Sequence, residues 1–321
     1  MKILVLGAGA TGGYFGGRLA QAAQQGKTTI DVTFLVRPAR ATVLQQHGLR
    51  IETPQGSFSL PVQTVIDTAL KPEYDLVLLA CKAYDLESSI LAVSPGMRAD
   101  TYVLPLLNGL AHFDRLDTAF GAARVLGGCC HIAGQLTPEG VVRQMNDLQR
   151  ITYGVRPHNN AGAKTVLDQL HAAYAATPVE TRYPDDVRCD IWEKFVMLAA
   201  LAGMTCLMRS ATGDIMSTEG GAALILRMLD ECVSAARHAG QPPRAQMLDA
   251  TTKMLTQPGS TFTASMLRDL ESGSRTEAAH IIGDMLARAR ASGSEALMLR
   301  TAWVHLQARD ARLKRESAGG A

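Results

Sequence analysis

Two stretches of this chain have the residue types and spacing to do chemistry. Gly7, Gly9 and Gly12 stand as G-x-G-x-x-G in KILVLGAGATGG, directly after an apolar run and at the head of an amphipathic helical pattern. In that setting the first glycine permits a tight turn, the second lets a pyrophosphate approach the backbone, and the third lets helix and strand pack closely. Ala8, Ala10 and Thr11 complete the loop, whose N–H groups at a helix N-terminus suit a diphosphate. The pattern therefore predicts a dinucleotide site. The second stretch is IWEKFVMLAALAGMTC, where Lys194 heads a long apolar run. A helix apolar nearly all round is buried, and an amine there needs a partner or gives up its proton. One reading is a snorkelling lysine with a packed stem and a wet head. The other is a general acid, since burial disfavours the charged form of an amine and moves it toward catalytic use.

The dinucleotide pattern carries its own specificity signal. An acid at the end of the second strand would bind the ribose 2′-hydroxyl. Here that strand ends FLVRPAR, with Arg37 and Arg40 and no acid. A guanidinium fork suits a 2′-phosphate, so NADP is the expected cofactor. Lys82 closes DLVLLACK at the same sheet edge and is a second candidate for that phosphate. A nicotinamide cofactor implies hydride transfer, and reduction of a ketone also needs a proton. Lys194 is the favoured donor, and His131, at a strand end, is its rival.

Positioning these groups requires two kinds of architecture. Short β-branched apolar runs at KILVLG, DVTFLVR, DLVLLAC and TYVLPLLN alternate with helical patterns, the mark of a parallel sheet with crossover helices. LRIETPQGSFSLPV reads as an inserted hairpin, RVLGGCCHIAGQLTPEGVVRQM as a further strand pair, and LQRITYGV closes this half near residue 155. From about residue 185 the periodicity is almost wholly helical, broken at Thr212 to Ser217, at QPP (241–243) and at TQPGS (256–260). The expected fold is an N-terminal α/β Rossmann-type dinucleotide-binding domain, residues 1–180, and an all-α C-terminal domain, residues 181–321. The tail RESAGGA is expected to be disordered.

Composition excludes several alternatives. With a net charge of +2 and interspersed signs, the chain carries no electrostatic footprint for nucleic acid or a membrane surface. Apolar stretches of about a dozen residues are too short to span a bilayer. The N-terminus runs straight into a strand pattern, so no signal peptide is expected. None of the six cysteines forms a CxxC and none sits by a histidine cluster, which points away from metal and disulfides and toward a cytoplasmic setting.

Together, MKILVLGAGATGG, LPLLNG, IWEKF and SMLRDLESGSRTE resemble the ketopantoate reductases (2-dehydropantoate 2-reductases), in order and spacing and over nearly the whole chain. The resemblance implies the 6-phosphogluconate-dehydrogenase-like fold and reduction of ketopantoate to pantoate, a step of pantothenate biosynthesis. It also implies a small 2-oxo acid as partner and a possible homodimer. It implies Lys194 as proton donor and Asn108 near nicotinamide and carbonyl. Ser265 would bind the substrate carboxylate, Glu277 would sit at the substrate hydroxyl and cofactor end, and Ala133 would make a backbone contact to the cofactor. The pattern breaks on the lysine helix. The family's asparagines four and eight residues after the lysine, on the same helix face, are Leu198 and Ala202 here, and a third falls near Thr212. The loss of amide groups threatens the substrate assignment rather than the chemistry. Three readings follow: a ketopantoate reductase, a paralogue reducing a more apolar 2-oxo acid, and a non-catalytic NADPH sensor.

Overall fold

A computed structural model describes residues 1–319. The chain divides into two compact units: Met1–Leu107 with His112–Val187, and Asn108–Ala111 with everything from Arg188 onward. In chain order the first contains β1 (Lys2–Leu6), α1 (Ala10–Gln24), β2 (Asp31–Leu35), α2 (Pro38–His47), β3 (Leu49–Thr53), β4 (Gly56–Leu60), β5 (Gln63–Val65), β6 (Leu76–Leu79), α3 (Leu86–Val93), β7 (Tyr102–Pro105), α4 (His112–Phe120), β8 (Gly127–Leu136), β9 (Val142–Gly154), α5 (Gly162–Ala175) and β10 (Glu180–Arg182). The second contains α6 (Val187–Met208), α7 (Thr212–Met216), α8 (Gly221–His238), α9 (Ala245–Leu255), α10 (Ser265–Glu271), a π-turn (Ala279–Gly283), α11 (Asp284–Ala291) and α12 (Leu297–Gly319).

The first unit is built on a wholly parallel sheet in the order β5-β2-β1-β6-β7. β6 and β7 are buried at every position, as expected when helices cover both faces. Strand order reverses between β1 and β6, the point where such sheets open a crevice beyond their carboxyl ends. The expected hairpin forms as β3 and β4, antiparallel around Thr53 and Gly56. The following QTV does not continue it: β5 leaves the hairpin and pairs parallel with β2. β8 and β9 form the second strand pair, with an irregularity between Ile132 and Gly134. They join β3, β4 and β10 in a second sheet.

In the second unit α6 is the apolar helix of the IWEKF stretch. At 22 residues it is long and apolar enough to cross a membrane by length and composition, which corrects the expectation of shorter runs. Its apolar window is 83% buried inside the fold, so it serves as the core helix. α8 buries Ile225, Met228, Leu229 and Cys232 as a helical apolar stripe and meets α6 at Met228. The approach is close: a β-carbon at Gly203 would lie 2.8 Å from Met228 Cε. Glu231, on the same helix and almost fully buried, accepts hydrogen bonds from the N–H groups of Met298 (3.1 Å) and Leu299 (3.0 Å). It thereby caps α12, whose first turn holds no acid of its own. The expected disordered tail is instead helical through Gly319, and Gly320 and Ala321 lie outside the described residues.

Candidate active site

The glycine loop is shaped by backbone needs that side chains would violate. Gly7 has φ +86°, the left-handed region, and its N–H bonds to Leu35 O at 2.9 Å. A β-carbon on Gly12 would stand 2.4 Å from Gly7 O and 3.2 Å from Val5, so α1 can approach β1 only with glycine there. At Gly9, the N-cap of α1, a β-carbon would project into open space. That space is a pocket of about 600 Å³ beyond the ends of β1, β2 and β6, lined by Gly7, Ala8 and Gly9 among others. A cradle that only a side chain would fill, at a helix N-terminus without acids in its first turn, fits a diphosphate-bearing dinucleotide.

Arg37 lies on this pocket with an exposed side chain, at the N-cap of α2. Arg40 also lines it but is committed to the protein. Its guanidinium donates to Ala8 O (2.9 Å) and to Gly140 O (2.9 Å), tying the glycine loop to the β8–β9 turn. Ala10, Thr11 and Gly12 form the first turn of α1. Lys82 follows β6 at the start of a 3₁₀ turn and is not part of the pocket lining, whereas its neighbours Ala80 and Cys81 are. Ala133 falls at the β8 irregularity and likewise does not line the pocket, while Leu136 of the same strand does. Sequence reasoning missed Asp67, Asp85 and Ser89 in the lining. Asp67 follows β5, a strand the sequence did not reveal, so its approach to the β2 end was not legible.

The lysine site belongs to the second unit. Lys194 is buried, with 8% of its surface exposed, and its Nζ donates to Asn108 Oδ1 at 2.9 Å. Asn108 is brought there by the Asn108–Ala111 segment, which clusters with the helical unit. Gly109 makes the turn at φ +80°. On the far side of Lys194, Glu193 is more deeply buried and accepts from Arg244 Nε at 2.8 Å and Arg244 N at 2.8 Å. Arg244 also pairs with Asp190 at 3.1 Å. Sequence reasoning overlooked this carboxylate pair, which fixes the helix turn carrying Lys194.

The other expected substrate residues are placed unevenly. Glu277 is buried at the end of the loop after α10, and its backbone carbonyl accepts from His280 N at 3.0 Å. Ser265 is the first, exposed residue of α10 and makes no hydrogen bond to Lys194 or Asn108. Leu198 is half-buried, one turn beyond Lys194. Ala202 and Thr212 are fully enclosed, so as placed neither offers a surface to a ligand, which corrects their expected role in lining an open site. Thr212 keeps a buried hydroxyl with no partner among the described residues. His131 lies in β8 of the sheet unit, paired across to Arg150.

Among the described residues there is no His/Cys/Asp/Glu cluster able to hold a metal. The sequence profile described as ketopantoate reductase PanE/ApbA matches residues 3–158, and that of its C-terminal region matches residues 186–310. An uncharacterized oxidoreductase, YkpB of Bacillus subtilis, is 32% identical over 96% of this chain and 98% of its own. A 2-dehydropantoate 2-reductase of Nostoc is 27% identical over 91% and 90% of the two chains. The crystal structure of 2-dehydropantoate 2-reductase from Geobacter metallireducens superposes with a TM-score of 0.83 at 25% identity, covering 96% of this chain and 99% of that one.

Proposed function

The chain belongs to the ketopantoate reductase family, and from that membership we propose an NADPH-dependent reductase of 2-oxo acids that takes ketopantoate as its default substrate and uses Lys194 as proton donor. The observation that carries the proposal is the Lys194–Asn108 hydrogen bond, 2.9 Å long and largely out of water. When bound, the reduced nicotinamide supplies the hydride. Gly7, Gly9 and Gly12, with Ala8, Ala10 and Thr11, would hold the diphosphate. Arg37, exposed at the end of a strand without an acid, would meet the 2′-phosphate.

Hydride addition to the carbonyl carbon pushes the π pair onto oxygen. The Lys194 ammonium then gives that oxygen a proton, becomes a neutral amine, and is recharged from solvent. Asn108 Oδ1 takes one of the three ammonium N–H bonds and so limits where the other two point. Burial of the pair keeps water from competing and strengthens the interaction. Glu277 is the second charged candidate at the substrate end.

A second reading keeps this chemistry and changes the substrate. Leu198, half-buried, puts an apolar group one turn past Lys194, where an amide would bond a polar substituent, and this favours a more apolar 2-oxo acid. A non-catalytic sensor is disfavoured because a sensor has no use for a buried lysine held by an amide. The deciding experiment is NADPH oxidation with a panel of 2-oxo acids running from ketopantoate to aryl-substituted ones. Turnover lost in Lys194→Ala supports the proposal. Tight NADPH binding with no turnover on any acid sinks it in favour of the sensor.

A further inference from the structure

His280 touches the lysine site from a place that the glycine, lysine and serine motifs do not mark. It lies in the π-turn Ala279–Gly283, an irregularity that inserts a residue into a helix and re-aims side chains, often at functional sites. A β-carbon on Gly109 would meet His280 O at 2.9 Å and the imidazole Cδ2 at 3.0 Å, so backbone and ring together form the wall behind that turn. The imidazole also hydrogen-bonds the backbone of Asn108. The π-turn is itself anchored on its other side, where a β-carbon on Gly283 would rest 3.4 Å from the Trp303 ring.

We propose that His280 is a positioning residue of the reductase site: its imidazole braces the Asn108–Gly109 turn and thereby holds the amide that orients Lys194. The bracing acts on the backbone of the residue whose side chain accepts from the lysine. A shift of a few tenths of an ångström there moves Oδ1 off the ammonium. Burial favours the neutral ring, against the opposing pull of Glu277 and Asp284, with Arg288 acting in the same sense as burial. A neutral imidazole keeps one N–H donor, which is what the Asn108 carbonyl requires.

The inference rests on Lys194 being the proton donor, and the test separates the two. In the full chain, His280→Leu is expected to lower kcat on the best 2-oxo acid about 3- to 10-fold, the loss of one neutral hydrogen bond. KM for the oxo acid and Kd for NADPH should hold within about twofold, since no substrate or cofactor contact is removed. His280→Gln and His280→Asn carry amide N–H donors near the Nε2 and Nδ1 positions, and one of them should restore most of the rate. On an Asn108→Ala background, His280→Leu should cost little more. Should His280→Leu not fold, His280→Ala takes its place in the same comparisons. The proposal is overturned if the apolar variant keeps its kcat, if folded Gln and Asn variants are both as slow as it, or if the two losses multiply. Activity retained in Lys194→Ala would instead overturn the proton-donor reading itself.

Discussion

The Lys194–Asn108 contact makes a quantitative demand on kinetics. Asn108→Ala removes one hydrogen bond to a charged group that is only 8% exposed. Such bonds contribute about 1.5–3 kcal/mol. At ~1.36 kcal/mol per tenfold, the chemical step should slow by about 10- to 150-fold if the bond is fully used in the transition state. Lys194→Ala removes the donor and should cost about 10²–10⁴-fold. Because Asn108 acts by orienting Lys194, the double variant should be no slower than Lys194→Ala alone. Single-turnover NADPH oxidation at saturating oxo acid measures the step directly, free of product release. Fluorescence titration should show NADPH affinity changed far less than the rate, because the glycine loop that would hold the diphosphate is intact. A double variant slower than Lys194→Ala by the full Asn108 factor would refute the orienting role and give Asn108 an independent contact with the reacting groups.

Arg37→Ala should narrow the preference for NADPH over NADH by about 1.5–3 kcal/mol, read as the change in the ratio of the two dissociation constants. Equal affinities in the unmutated protein would refute Arg37 as a determinant of cofactor choice. Gly109→Ala forces a β-carbon into φ +80° and toward His280 O, and should cost at least about 1–2 kcal/mol in urea unfolding. Arg244→Ala takes the cation away from the buried carboxylates of Asp190 and Glu193 and should cost about 2–3 kcal/mol. That is less than the loss of a fully buried partner, because the Arg244 side chain is 44% exposed. For His280 the folded state holds the proton less tightly than the ordinary value of 6.5, chiefly through burial. The unfolded chain therefore binds more protons in that window. Its contribution to stability is complete above pH ~6.5 and declines as pH falls below it. A melting-temperature profile should lose that acid-side slope in His280→Gln.

What the sequence disclosed was the local part of the design. The glycine loop, β1 and the central strands follow from a short buried run leading into glycines, and α6 from an apolar pattern too long for a strand. The hairpin turn at Thr53–Gly56 has its own turn chemistry and was equally legible. Pairings between distant segments left no comparable trace. β5 and β10 are three residues each, too short for a periodic signal, and their place is set by β2 and β9. Arg40 reads as a charge facing a phosphate, yet Ala8 and Gly140, the latter a hundred residues away, occupy its guanidinium. The Lys194–Asn108 bond was not anticipated: the resemblance implied a role for each residue but no bond between them, and 86 positions separate the partners. Ala202 illustrates the opposite error. Helix spacing puts it two turns past Lys194, but spacing cannot say which positions along a helix the rest of the fold encloses.

The length and apolarity of α6 also matter before the protein is folded. Val187–Met208 leaves the ribosome ahead of α8, the π-turn and α12, the elements that later enclose the second unit's core. At about 5–20 residues per second, the hundred or so residues that follow take some 5–20 s to be made. During that interval a segment with the dimensions of a bilayer-crossing helix has no tertiary cover. Nascent chains in this condition are candidates for chaperones, for aggregation and for mistaken delivery to a membrane. Lys194, Glu193 and Asp190 near its start lower the apolarity of the segment as membrane machinery would sense it. The charges that build the site are thus also the features that mark the emerging helix as one to be kept in water.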